Sequence, residues 1–128
     1  MSERSPELQS DVRVAIQRLR SQIQWKPGKD RKHLETRIGY GHLPPAATLE
    51  EYESIITAIV NDRTATVYVY VWPTAAYVTM VGIHHNEQWL VMFSMAGIME
   101  TAFPPTDVDE YLSDSRFQYV GTIQELFQ

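Results

Sequence analysis

The sequence predicts an α+β fold, with N-terminal helices packed on a four- to five-stranded antiparallel β-sheet. Four runs rich in β-branched and aromatic residues follow one another between Thr64 and Phe103. Short breaks separate these runs, at Trp72-Pro73-Thr74, His84-His85-Asn86-Glu87 and Ala96-Gly97. Apolar runs joined by such breaks are typical of strands connected by hairpins. We therefore expect a four-stranded meander here, preceded by three segments with the apolar spacing of helices.

The 128 residues predict one domain, long enough to bury a core of its own. We divide it into an N-terminal helix and linker (1–29), a helical region (30–62), the sheet (63–105) and an acidic C-terminal segment (106–128). The absence of cysteine excludes disulfides and thiolate chemistry. No apolar run approaches the roughly 20 residues of a spanning helix, and the N-terminus lacks the apolar core of a signal peptide. We expect a cytoplasmic protein without membrane association.

Charge is distributed unevenly along the chain, whose net charge is −5. Residues 1–42 hold nine of the eleven Lys and Arg residues against five acids, and residues 43–128 hold two against eleven. An acidic total argues against non-specific coating of nucleic acids, because such coating depends on neutralising phosphates. The basic N-terminal third can meet a phosphate locally, or it can pair with the acidic remainder of the domain.

Three helices are predicted ahead of the sheet. The first is Glu7–Gln24, which has apolar residues at the i, i+3, i+4 spacing of one helix face. The second runs from Asp30, the expected N-cap, to about residue 40. Thr48 and Glu51 form a capping box at the start of the third helix, which ends at Asn61.

A period of two assigns the strand side chains to the two faces of the sheet. Residues 89–95 are apolar on both sides, which predicts a central strand covered on both faces. The same period divides the last strand of the meander into two sets: Met99, Thr101 and Phe103 on one face, and Ile98, Glu100 and Ala102 on the other. After Pro104-Pro105 ends this strand, we expect a short acidic helical turn (106–113), an edge strand (117–120) and a final turn (123–127).

The first candidate site is on the second helix. His33 and Arg37 lie four residues apart and share one helix face, with Lys32 beside them. An imidazole with its ordinary pKa of about 6.5 takes up and returns a proton at neutral pH, and a guanidinium holds an anion. Phosphodiester transesterification needs a base for the ribose 2′-hydroxyl and a cation for the charge that develops on the phosphate. The alternative is that both are solvated side chains on an exposed helix.

The last strand of the meander provides a second candidate. Glu100 and Thr101 stand among apolar residues, where a polar side chain is exposed, paired or functional. We favour Thr101, because its hydroxyl can bind a phosphate oxygen, and we interpret Glu100 as solvated or ion-paired.

A histidine-rich turn allows a metal interpretation. His84, His85 and Glu87 cluster between the second and third strands of the meander. Adjacent histidines in a turn do not converge as ligands spaced i, i+4 on a helix do, so an ordinary polar turn is preferred. We predict no metal and no cofactor, and we interpret His42 as a loop residue.

An aromatic row follows one face of the first strand of the meander, at Tyr68, Tyr70 and Trp72. Such a row can stack bases when cations surround it, and Tyr70 is the candidate RNA contact. The nearest cation in sequence is Arg63, so packing against a helix is the alternative.

Two segments carry a family resemblance: Lys32-His33 with Arg37 ahead of the sheet, and Trp89-Leu90-Val91 followed by Glu100-Thr101-Ala102-Phe103-Pro104. They are similar to the barnase–EndoU–colicin–RelE superfamily of small RNase toxin domains. The resemblance implies a helical N-terminal part against a four-stranded antiparallel sheet, and RNA cleavage without metal to a 2′,3′-cyclic phosphate. By position it implies His33 as general acid/base, Arg37 and Lys32 as phosphate stabilisers, and Thr101 as the strand hydroxyl.

Three functions follow as hypotheses. The first is a metal-independent ribonuclease of the toxin type, with His33, Arg37 and Thr101 in one positive cleft and Lys32 and Tyr70 binding the RNA. The second is a non-catalytic interaction module, an inactive nuclease-fold relative whose acidic surface meets a basic protein partner or antitoxin. The third is a small-molecule binder that uses the aromatic row.

Overall fold

The computed structural model describes residues 6–128, and within this range it contains five helices and six strands. In chain order these are α1 (Pro6–Ser21), β1 (Gln24–Trp25), α2 (Lys29–Gly39), α3 (Leu49–Val60), β2 (Thr66–Val71), β3 (Ala76–His84), β4 (Glu87–Ser94), β5 (Ile98–Phe103), α4 (Val108–Leu112), β6 (Phe117–Thr122) and α5 (Ile123–Leu126). Residues 1–5 of the predicted first segment lie outside this range. The α+β class is confirmed, with six strands instead of four or five.

The six strands form one sheet in the order β1-β5-β4-β3-β2-β6. Strands β2 to β5 pair antiparallel in chain order, which confirms the meander. The predicted edge strand, β6, pairs antiparallel with β2. Strand β1 pairs parallel with β5 over two residues, and so short a strand has no periodic pattern from which it could be predicted. None of the helices in residues 6–128 combines the length and apolar character that crossing a membrane requires.

Helix α3 begins and ends as the sequence indicates. The Thr48 side chain accepts a hydrogen bond from the Glu51 backbone N–H, and the Glu51 carboxylate accepts one from the Thr48 backbone N–H. Asn61 is the C-cap. The two reciprocal hydrogen bonds between Thr48 and Glu51 satisfy two backbone donors that the first turn of a helix leaves unpaired.

The predicted ends of the first two helices are wrong by a few residues. The N-cap of α2 is Gly28, whose φ of 79° lies in the left-handed region, and not Asp30. The Asp30 carboxylate instead accepts a hydrogen bond from the Arg31 backbone N–H at 2.8 Å. Helix α1 ends at Ser21, because the chain becomes extended at Gln24 to form β1.

The main core lies between the helices and one face of the sheet, which we call the helix-side face. It combines side chains of α1, α2, α3 and α5 with inward-facing residues of β2 to β5. Five of its fully buried members are Ile16, Ile56, Val67, Met80 and Phe93. Burying each such side chain contributes about 1.5–3 kcal/mol.

The opposite face of the sheet, here the second face, carries a smaller cluster of Tyr70, Val81, Leu90 and Met92. Residues of α4 and the start of β6 pack against it. Strand β4 is therefore buried on both faces, which confirms its predicted central position.

A β-bulge interrupts the last strand of the meander. In β4, residues 92 and 93 are adjacent, but they pair with Thr101 and Met99, so β5 contains one extra residue, Glu100. The predicted face assignment is therefore wrong beyond this point. Met99 and Ala102 both pack in the helix-side core, while Thr101 lies opposite Met92 on the second face.

Candidate functional site

Helix α2 packs beside α3 and β5. It brings His33 against the ring of Trp25, which packs on Tyr52, and we call these two rings the aromatic wall. The His33 ring is half-buried and lies 5.4 Å from the Trp25 ring, between centroids. Trp25 is held in place from α3: its Nε1–H donates to Glu53 Oε2 at 2.9 Å, and its ring lies 5.9 Å from that of Tyr52. The two-residue strand β1 thus positions one side of the site.

Tyr52 connects α3 to the strand beneath the site. Its hydroxyl donates to the Ala102 backbone carbonyl at 2.6 Å, and the side chain is fully buried. Burial raises the pKa of Tyr52 to about 12, although the Arg37 charge and the hydrogen bond to Ala102 act in the opposite direction. The hydroxyl therefore stays protonated and acts as a structural donor.

Arg37 lies one helical turn after His33 and is 8% exposed. Its guanidinium lies over the rings of Phe103 and Tyr40, at 5.5 and 5.8 Å from their centroids. Nη1 is 3.3 Å from His42 Nδ1, whereas the buried Nε has no hydrogen-bond partner in the described range. Buried polar groups are usually paired, so this guanidinium retains unused donor capacity.

The surroundings of His33 favour its neutral form. Burial lowers the pKa of His33 most, the Arg37 charge lowers it further, and Lys29 and Lys32 add smaller effects of the same sign. Glu100 opposes them, because its carboxylate favours the imidazolium. The bulge residue is therefore an electrostatic neighbour of the candidate base.

His42 belongs to the same neighbourhood, although the sequence identified it only as a loop residue. Its ring stacks on Tyr40 at 5.7 Å, and its pKa is lowered first by burial and then by Arg37. Glu87 acts in the opposite direction. Arg37 thus influences two imidazoles.

A cavity of about 360 Å³ adjoins the aromatic wall, between β1 and β5. Its lining includes Trp25, Lys26 and Glu100, so it combines an indole surface, a cation and a carboxylate. Two of these lining residues are neighbours of His33. The Trp25 ring contacts the His33 ring, and the Glu100 carboxylate raises the pKa of His33.

The structure brings together His33, Arg37 and Lys32, and it places Thr101 and Tyr70 as follows. Thr101 lies on the second face opposite Met92, whereas His33 contacts the helix-side residue Trp25. Tyr70 is on β2, and two strands separate β2 from β5. The bulge explains why Thr101 is on the second face, because a strict period of two would have placed it on the same face as Met99.

Sequence reasoning missed Trp25, Glu100 and Lys29 as neighbours of His33. The Glu100 position depends on the bulge, and bulges leave no clear pattern in a single sequence. One signal was available in the sequence: Trp25 and Lys29 flank Pro27-Gly28, which lies between β1 and α2.

The histidine-rich segment forms the predicted turn. The ends of β3 and β4 are joined by His85 and Asn86, whose φ values are 49° and 65°, as expected for a two-residue hairpin loop. The rings of His84 and His85 stack at 4.1 Å. Among residues 6–128, no three His, Asp or Glu side chains converge in a way that could hold a metal ion.

Comparison of the chain with protein-family models, with curated proteins and with solved structures gave no significant match.

Proposed function

We propose that the protein is a metal-independent ribonuclease whose site lies where α2 meets the edge of β5. One observation carries this proposal: a half-buried imidazole, His33, stands among three cations and one carboxylate beside an aromatic wall. The neutral imidazole is a base at neutral pH, and the cations suit a phosphate. The segment 26–37 holds five Lys and Arg residues against two acids, so it is basic within an acidic chain.

In this proposal His33 takes the proton of a ribose 2′-hydroxyl, and the 2′-oxygen attacks the adjacent phosphorus. The bond from phosphorus to the 5′-oxygen breaks, and His33 returns the proton to that oxygen. The products are a 2′,3′-cyclic phosphate and a 5′-hydroxyl end. Glu100 stabilises the imidazolium that forms between the two proton transfers, since its charge favours the protonated ring.

The cations act on the phosphate. Charge develops on the non-bridging oxygens as the 2′-oxygen attacks, and fixed positive groups stabilise it. Lys29 and Lys32 are exposed on α2, where they can reach a bound strand. Arg37 is buried and has donors beyond its contact with His42, so it supports the site from below the surface.

Trp25 suggests single-stranded RNA as the substrate. Its ring lines the cavity beside Glu100, and an indole face stacks on any unpaired base. A strand bound there would place one base on Trp25 and its phosphate near His33 and Lys32. Thr101 and Tyr70 have no part in this mechanism.

The test is cleavage of a mixed single-stranded RNA in excess EDTA by the wild-type protein and two variants. His33→Ala is expected to lower the rate by about 10²- to 10⁴-fold, the usual contribution of general acid–base catalysis. His85→Ala, in the exposed β3–β4 turn, is the matched control and should leave the rate unchanged. A 2′-deoxy substitution at the cleaved position should abolish the reaction.

Two results would contradict the proposal. One is the absence of cleavage by folded wild-type protein between pH 5 and pH 8 on several RNAs. The other is cleavage that persists in His33→Ala, which would assign the activity to another group or to a contaminant.

A further inference from the structure

A second concave site lies on the second face of the sheet, beside α4. It has a volume of about 450 Å³, and three of its walls are the aromatic rings of Tyr70, Tyr111 and Phe117. The centroids of Tyr70 and Phe117 are 4.6 Å apart, and those of Tyr111 and Phe117 are 5.6 Å apart. Met92 of β4 lines the cavity from the sheet. The three rings form one continuous aromatic surface.

The rim of this cavity is acidic. Glu110 and Asp114 line it, and the segment 106–115 contains four acids and no Lys or Arg. Asp114 is paired with Arg116, with Nη2–Oδ2 at 2.7 Å and Nε–Oδ1 at 3.0 Å. Glu110 makes no ion pair with any residue in the range 6–128. Its carboxylate is therefore free to meet a cation.

The protein already places one guanidinium against the same aromatic surface. The Arg116 side chain lies 5.1 Å from the Tyr70 centroid and 4.6 Å from that of Trp72, while it forms its two-bonded pair with Asp114. Guanidinium groups favour this combination, because the planar ion stacks on a ring and its fork of N–H donors matches a carboxylate. Tyr70 takes part both in this contact and in the cavity wall.

Tyr111 places its hydroxyl beside the acidic rim of the cavity. Burial raises the pKa of Tyr111, and the neighbouring Tyr70 and Asp114 raise it further. The hydroxyl therefore remains neutral, and its oxygen is available as an acceptor next to the carboxylates.

We propose that this cavity binds a guanidinium group, stacked on Tyr111 and Phe117 and paired with Glu110. The group comes either from an arginine side chain of a partner protein or from a free guanidinium compound. The site is separate from His33 and does not depend on the nuclease proposal.

The experiment is a titration of the full chain, followed by NMR, with ethylguanidinium and with propylammonium at the same charge. Ethylguanidinium should bind saturably and shift the ring signals of Tyr111 and Phe117, and propylammonium should bind more weakly. Tyr111→Ala and Glu110→Gln should each weaken guanidinium binding by about fivefold, as expected for loss of about 1 kcal/mol of cation–π or charge interaction. Asp109→Asn is the matched control, since this exposed acid of α4 does not line the cavity.

Arg116→Gln should change the affinity for ethylguanidinium in the opposite direction. It releases Asp114 from its ion pair, so binding of ethylguanidinium should become tighter. His33→Ala should leave the affinity unchanged, which separates this site from the nuclease proposal.

The source of the group is tested with the peptide Gly-Arg-Gly. Tighter binding of the peptide than of ethylguanidinium supports a protein partner, and equal or weaker binding supports a free compound. Three results overturn the proposal: no saturable binding by folded protein, equal binding of propylammonium, or equal effects of Asp109→Asn and Glu110→Gln.

Discussion

Two of the concave regions of this molecule differ in the charge of the side chains around them. At the α2 edge, His33 is surrounded by Arg37, Lys29 and Lys32. On the second face, Glu110 and Asp114 line the aromatic cavity. The net charge of −5 describes neither region, because the basic residues of α2 and the acidic residues of α4 lie at different cavities. The sign of the local charge, and not the net charge of the chain, decides which ligands each region can attract.

The two faces also differ in packing. The helix-side face is covered by four helices and contains most of the buried side chains. The second face has a cluster of four buried residues and is covered mainly by α4, which is five residues long. The second-face cavity is lined by residues of this short helix, Glu110 and Tyr111. The following experiments test this contrast.

The largest effect is expected from two adjacent residues of β4 that point to opposite faces. Phe93→Ala should cost about 3–5 kcal/mol in the free energy of unfolding, because Phe93 is fully buried in the main core. Met92→Ala should cost about 2 kcal/mol, at the low end for this change, since Met92 already borders a cavity. Urea-induced unfolding measures both. Equal losses would mean that the second face is packed as closely as the helix-side face.

Removing either of two buried hydroxyls should change the free energy of unfolding by a smaller amount, and the two changes should have opposite signs. Tyr52→Phe should destabilise the protein by about 1–3 kcal/mol, because the Ala102 carbonyl loses its donor. Thr79, on β3, is fully buried, and its Oγ1 has no partner in the described range. Thr79→Val should therefore stabilise the protein, by up to about 1 kcal/mol. Thermal unfolding of both variants checks this, and a loss of stability in Thr79→Val would show that the hydroxyl is paired.

The smallest effect is a pH dependence of the free energy of unfolding that arises from three histidines. Burial lowers the pKa of His33, His42 and His84 below the ordinary 6.5. The folded state therefore favours the neutral form of each histidine. This stability is complete above about pH 6.5 and is lost as pH falls through the lowered values. On the second face, hydrogen bonds from Arg116 hold the pKa of Asp114 at about 2, so that pair stays ionised across the same range.

Arg37→Gln sharpens this prediction. Arg37 lowers the pKa of both His33 and His42, so its removal should raise both values and reduce the loss of stability between pH 6.5 and pH 5.5. Unfolding at several pH values, with NMR titration of the imidazoles, gives both quantities. An unchanged slope in the variant would show that the Arg37 charge does not act on the two histidines.

Local patterns in the sequence were sufficient for most of the fold. The meander followed from four apolar runs with turn residues between them, and the third helix from the Thr48–Glu51 capping box. The adjacency of His33 and Arg37 followed from helical spacing alone. These features depend on residues within a few positions of one another, so a single sequence contains their signal.

The composition of the site required contacts between distant parts of the chain. The bulge at Glu100 depends on how β5 pairs with β4, and it moves Thr101 to the second face. The place of Trp25 beside His33 depends on a two-residue strand that pairs with β5 more than 70 residues later. The three N-terminal helices, the meander strands and the basic character of α2 could be read from the sequence alone, because each is a local property. The tertiary structure decided which face each polar side chain of β5 occupies and which groups surround the imidazole, because strand register and packing bring those atoms together.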